Sequence, residues 1–161
     1  MRSFVKPHVM KVGVAALCAL AGVSAVHAQA QDPQQKAVDA RQALFKLVDW
    51  SFAPVGDMLR NKAKWDAATA QKAAERVQTL APFIPDAFAV DTHKNTAFKT
   101  KARENIWTNA PDFKAKADEL SKAAAALVAA AKSGADDKAL RQAAMTVGRA
   151  CSGCHDNYKD K

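Results

Sequence analysis

The chain has 161 residues, 49% of hydrophobic type, and a formal net charge of +8. That length suits a single domain once a leader is removed. The lysines are scattered, with no block beside aromatic residues, which argues against a nucleic-acid footprint and for a solvated helical surface.

Residues 1 to 28 read as a secretory signal peptide. Arg2, Lys6 and Lys11 form a basic start, and Val12 to Val26 is an uncharged apolar run. Val26-His27-Ala28 is a small-residue cleavage site, with Ala30 as the alternative end. The run is shorter than the ~20 residues of a membrane span, and a polar stretch follows at once. Cys18 lies inside it without a lipoprotein context, so no membrane anchor is expected. The mature domain is then residues 29 to 161. Losing the three leader cations leaves 21 basic and 16 acidic residues, a net +5.

Four helices are predicted in that domain, from abundant alanine and the absence of β-branched runs. The first starts near Pro33, a residue suited to a first helical turn. Val38, Arg41, Phe45, Val48, Phe52, Val55 and Leu59 recur at three- and four-residue steps and form a bundle seam. Leu44, Leu47 and Met58 make a second apolar stripe, a candidate homodimer interface. Pro54 is placed to bend or loosen the helix.

The second helix is predicted over 66 to 80, with Ala73, Val77 and Leu80 inward, stopped by Pro82 and Pro85. A long loop over 81 to 108 follows, with a short turn near 101 to 106. The third helix begins at Pro111-Asp112 and carries Phe113, Ala117, Leu120, Ala124, Leu127 and Ala131. Gly134 ends it, and Asp136 is an N-cap for the fourth. There Leu140, Ala144, Val147, Cys151 and Cys154 keep the core repeat. Trp50, Trp65 and Trp107 read as packing or interface residues.

The fourth helix ends in Cys151-Ser152-Gly153-Cys154-His155. This is the attachment pattern of a c-type haem. On a helix the two cysteines and the histidine are related as i, i+3 and i+4, so they share one face. One turn thus offers two thiols for thioether bonds and an imidazole for iron. A zinc site would want four ligands, and outside the leader only His93 remains to add. A redox dithiol would be expected in a βαβ context, and no strand pattern is present. Both remaining cysteines are therefore assigned to haem c, one per chain, and no disulfide is expected. Attachment of this cofactor is completed outside the cytoplasm, which agrees with the leader and points to the periplasm.

The candidates for a second iron ligand are few. Met58 lies nearly four helical turns, or ~20 Å, past Phe45 and reads as core or subunit contact. Met145 shares a helix with His155 and cannot reach the opposite haem face. His93, in the long loop, is the remaining candidate and reads as a surface histidine. Arg41 on the seam needs a partner for its charge.

The chain resembles the class II c-type cytochromes, cytochrome c′ in particular. The resemblance rests on the C-terminal Cys151-Ser152-Gly153-Cys154-His155-Asp156-Asn157-Tyr158 with Val147-Gly148 before it. Arg41-Gln42 and Ala102-Arg103-Glu104-Asn105-Ile106-Trp107 add to it. It implies an all-α, antiparallel up-down-up-down four-helix bundle with one covalent haem inside one end. It further implies that Arg41 approaches a haem propionate, with Gln42 beside the haem. Phe45 would face the distal side of the iron, where six-coordinate members carry methionine. Lys159 stands where the family often has arginine beside the proximal histidine, and the loop from Pro82 to Lys101 is longer than usual. The function implied is a periplasmic monohaem carrier, five-coordinate and high-spin, transferring electrons to an unidentified redox partner and binding NO or CO. The alternatives are a six-coordinate low-spin electron carrier and a dedicated nitric oxide scavenger. No acid–base pair at the distal site supports turnover, so the protein is not expected to be an enzyme.

Overall fold

The structure, a computed structural model, describes residues 32–161. The leader, its two cleavage sites and Cys18 lie outside the described residues. Among the described residues there are six α-helices: α1 Pro33–Leu59, α2 Ala67–Leu80, α3 Ile84–Ala87, α4 Asn105–Thr108, α5 Ala110–Lys132 and α6 Asp137–Tyr158. The four long ones, α1, α2, α5 and α6, form the expected bundle, and α1 packs on α2, α2 on α5, and α5 on α6. The described residues contain no strand; a single bridge joins Ala102 to Lys159.

Local chemistry explains the ends. Asp32 accepts from Gln34 N at 2.8 Å ahead of Pro33. Asp66 and Asp136 cap α2 and α6 through Thr69 N and Ala139 N, at 2.9 and 2.8 Å. These caps satisfy N–H groups that have no partner inside the helix. Gly134, at φ 76°, closes α5: Ala135 N bonds Ala130 O and Gly134 N bonds Ala131 O, both at 3.1 Å. That bond pair needs a left-handed residue at this position, which glycine supplies without strain.

The seam on α1 is buried at Val38, Val48 and Val55, and half-buried at Phe45, Phe52 and Leu59. Val48 and Val55 share one core with Val77, Leu127, Ala144 and Val147, and Phe45, Phe52 and Leu59 pack against it. Pro54 does not divide α1, which continues to Leu59. Two expectations are corrected. Met58 is not on an outer stripe; it is 3% exposed, and its Sδ accepts Asp66 N at 3.1 Å. The chain doubles back after α1 and covers it, which helical period alone does not reveal. The span 81–108 is not simply a loop either. It holds a 3-10 turn at Ala81–Phe83 and the short helices α3 and α4, with Ile84, Phe88 and Ile106 buried in the core.

Candidate haem pocket

A cavity of about 960 Å³ lies beside α1, along which its lining runs from Arg41 to Leu59, and its volume is near the top of the range for small-molecule sites. Its walls come from α1, α5, α6 and the span after α2, and they are mainly apolar: Phe45, Phe52, Phe88, Phe113 and Leu120 among them. Cys151, Cys154 and His155 all line it. The expected face of α6 is thus the face turned to the cavity. Both thiols are free and half-buried. Burial raises the pKa of Cys151 and pushes that of Cys154 up to about 11, with Cys151 adding to the latter. Burial also lowers the pKa of His155, and the charge of Lys159 lowers it further. A neutral imidazole keeps a lone pair for a metal.

The turn carrying His155 is gripped from outside its helix. The last four carbonyls of a helix lack partners within it, and here all four find one. His155 O accepts Lys159 N at 3.2 Å, and Tyr158 O accepts Arg103 N at 3.1 Å. Arg103 Nη1 donates to Asp156 O and Asn157 O at 3.0 and 3.2 Å, and Asn105 Nδ2 donates to Asn157 O at 2.9 Å. Arg103 Nε also pairs with Asp160 at 2.9 Å. The Tyr158 hydroxyl donates to Asp112 on α5. Burial and that carboxylate push Tyr158 up to about 12. Sequence reasoning singled out 102–107 as a motif, but it did not find that Arg103 and Asn105 clasp the end of α6.

Arg41 is only 2% exposed and lines the cavity, so it is not a surface arginine. Its Nε, Nη1 and Nη2 donate to Ala87 O, Thr92 Oγ1 and Val90 O at 3.2, 2.8 and 3.0 Å. The guanidinium also lies 4.7 Å from the Phe88 ring centroid and 5.4 Å from that of Trp107. Burial lowers its pKa. A guanidinium carries five N–H groups, so donors remain beyond these three bonds. Gln42, also in the lining, donates from Nε2 to Lys99 O at 2.8 Å. Phe45 meets Phe88 edge-on at 6.1 Å. Phe88 in turn contacts Phe113 at 4.8 Å, and Phe113 contacts Tyr158 at 5.2 Å. This aromatic row links Phe45 on α1 to Tyr158 at the end of α6. Lys159 follows α6 and lines the cavity as well.

Neither Met58, Met145 nor His93 lines the cavity. Met145 is 40% exposed on α6. The His93 side chain is 16% exposed, not a free surface group: Nδ1 lies 2.6 Å from Asp91 and Nε2 3.4 Å from Glu104. Its ring stands against Trp107 at 5.9 Å. The donor set and the space fit haem. Two thiols at helical spacing and an imidazole beside them meet a large apolar chamber, and a free metal ion would need no such chamber.

Comparison with known proteins agrees. A family model described as Cytochrome C′ matches residues 36–159. Cytochrome c′ of Rubrivivax gelatinosus is 37% identical over 125 residues, covering 78% of this chain and 95% of that protein. Its crystal structure superposes with a TM-score of 0.67 at 36% identity, over 77% of this chain and 94% of that one. A nitric oxide complex of a variant cytochrome c prime from Alcaligenes xylosoxidans matches with a TM-score of 0.65 at 31% identity, over 79% and 95%.

Proposed function

The chain belongs to the cytochrome c′ family of electron-transfer proteins with covalent haem c, and from that premise we propose a five-coordinate, high-spin periplasmic member that also binds NO and CO. Cys151 and Cys154 would hold the haem as thioethers, and His155 would be the sole protein ligand of the iron. Arg41 and Gln42 would serve the propionate side, Phe45 would cover the distal face, and Lys159 would stand on the proximal side. Bound there, the haem supplies a one-electron ferric/ferrous couple and an open position for a small gas. The chain's own residues hold it, orient it and exclude water around it.

One observation carries this reading. Among the described residues, no methionine and no histidine other than His155 lines the cavity, while Phe45 stands in the wall formed by α1. Both ring nitrogens of His93 face carboxylates, which keeps the remaining candidate occupied elsewhere. The phenylalanine ring offers no hydrogen bond, so bound oxygen gains little polar stabilisation. The relative solved with nitric oxide supports the gas-binding part. The reading is of a carrier and gas-binding protein, not an enzyme.

The test is the optical spectrum of the reduced holoprotein, alone and with carbon monoxide. A broad high-spin Soret band that sharpens with the gas is expected. Split α and β bands indifferent to the gas would overturn the reading in favour of a six-coordinate electron carrier. His93→Ala converting such a low-spin spectrum to high-spin would name the hidden ligand.

A homodimer through the outer face of α1 is part of the proposal. Leu47 and Trp50 are 51% and 61% exposed, and Arg76 lies 4.6 Å over the Trp50 ring. Leu44 is half-buried against the core and Met58 is covered, so the candidate face is smaller than the sequence stripe. Light scattering at micromolar concentration should give a dimer mass. The paired change Leu47→Glu with Trp50→Glu should give a monomer.

A further inference from the structure

The excess positive charge of residues 32–161 is concentrated at one place. Residues 32–161 carry 21 basic and 16 acidic side chains. Seven of the basic ones line the large cavity, against one carboxylate, Asp49. Away from the cavity, fourteen basic and fifteen acidic side chains nearly cancel. The net charge of the domain therefore sits around a single opening.

Three of the seven are committed elsewhere. Arg41 is buried, Arg60 pairs with Asp57 at 2.9 Å, and Lys116 pairs with Glu119 at 3.1 Å. Lys46, Lys99, Lys101 and Lys159 are exposed and make no ion pair among the described residues. They come from α1, from the span before α4 and from the end of the chain, so they form a collar, not a stripe on one helix. Two haem propionates would offset at most two of these charges. A cationic rim on an otherwise neutral body orients an approaching anion by its field.

We propose that this mouth docks an acidic face of a partner electron-carrier protein, an inference that rests on the haem reading above. The chemistry favours a protein over other polyanions. None of the exposed large apolar side chains, Leu47, Trp50, Phe83, Val90 and Met145, lines the cavity. A bilayer surface would find none of these exposed apolar side chains at the rim to take up, and a nucleic acid no exposed ring to stack on. A cationic rim around an apolar opening matches an acidic rim around an apolar centre. With haem bound, one electron would pass in the encounter from the reduced carrier to the ferric iron. No bond forms or breaks, and the carrier leaves oxidised by one electron.

The holoprotein can be tested with a purified acidic flavodoxin, reduced to its hydroquinone, as the probe. Stopped-flow reduction should slow about tenfold or more between 10 and 300 mM salt. Calorimetric affinity for oxidised flavodoxin should weaken in parallel. The triple change Lys46→Gln, Lys99→Gln, Lys101→Gln should lower the low-salt rate and affinity about tenfold and match wild type at high salt. Lys62→Gln, Lys64→Gln, Lys138→Gln, an equal charge loss away from the cavity, should leave both near wild type. Equal losses in the two triples, or a salt-independent rate, would overturn the proposal. So would capture of the protein by phosphatidylglycerol vesicles through the same lysines with no flavodoxin complex. Midpoint potential and carbon monoxide spectrum, recorded for every variant, separate this inference from the haem reading. If that reading fails, no redox couple with an open site exists in any of them.

Discussion

The last turn of α6 and the span from Ala81 to Glu104 both wall the cavity, and they are specified in opposite ways. The turn is local. Five consecutive residues set two thiols and an imidazole on one face because a helix relates them as i, i+3 and i+4. The span has little regular structure, and its shape is set by residues far away in the sequence. Arg41 on α1 reaches Ala87, Val90 and Thr92 with its whole guanidinium. The ring of Trp107 packs against Phe88 while its Nε1 donates to Phe88 O at 2.8 Å. A motif can thus supply the chemical groups of a site, while the chamber around them depends on one buried cation and its carbonyl and hydroxyl partners.

That contrast can be broken at several points. The largest effect is expected from Cys151→Ala with Cys154→Ala, which removes the covalent haem and leaves a largely apolar chamber unfilled. Circular dichroism should show loss of a cooperative thermal transition. Arg41→Ala comes next. It strips the donor from three acceptors, one of them the buried Thr92, at a cost of about 3 kcal/mol. Hydrogen exchange should rise over 84–92 and change little over 151–158. Arg41→Lys should restore only part of the loss, because a single ammonium cannot reproduce the fork.

Arg103→Ala sharpens the other side of the comparison. Its side chain is 34% exposed, so the expected cost is smaller, ~1–2 kcal/mol in denaturant unfolding. Exchange should rise over 155–160 and stay unchanged over 84–92. Equal rises in both regions would mean that the two walls are not independent.

The smallest effect concerns pH. Tyr158 is raised in the folded state to about 12, so folding binds its proton more tightly than the unfolded chain does. Its contribution is fully present below about pH 10 and is lost as pH rises through 12. Tyr158→Phe should cost ~1 kcal/mol near neutral pH and lack that alkaline loss, measured by denaturant titration across pH 8 to 12.

Much of this was legible in the sequence. Apolar spacing marked the four long helices, because a 3.6-residue repeat is written directly in the chain. Asp66, Asp136 and Gly134 marked helix ends through bonds spanning only a few residues. Met58 was left between core and subunit contact, and proves to be core, because a period says which stripe a residue joins and not whether a following turn covers it. His93 read as a surface residue because nothing near it in sequence reveals Trp107 or Glu104 beside its ring.

The sequence by itself determined the helices, the haem-binding turn and the sign of the charge, since each follows from neighbours within a turn or from a count. Only the tertiary structure decided where that charge gathers and what Arg41 and Arg103 hold. It also decided which side chains face the cavity. Those outcomes depend on contacts between residues some fifty positions apart, made when helices pack, and no local pattern encodes such a contact.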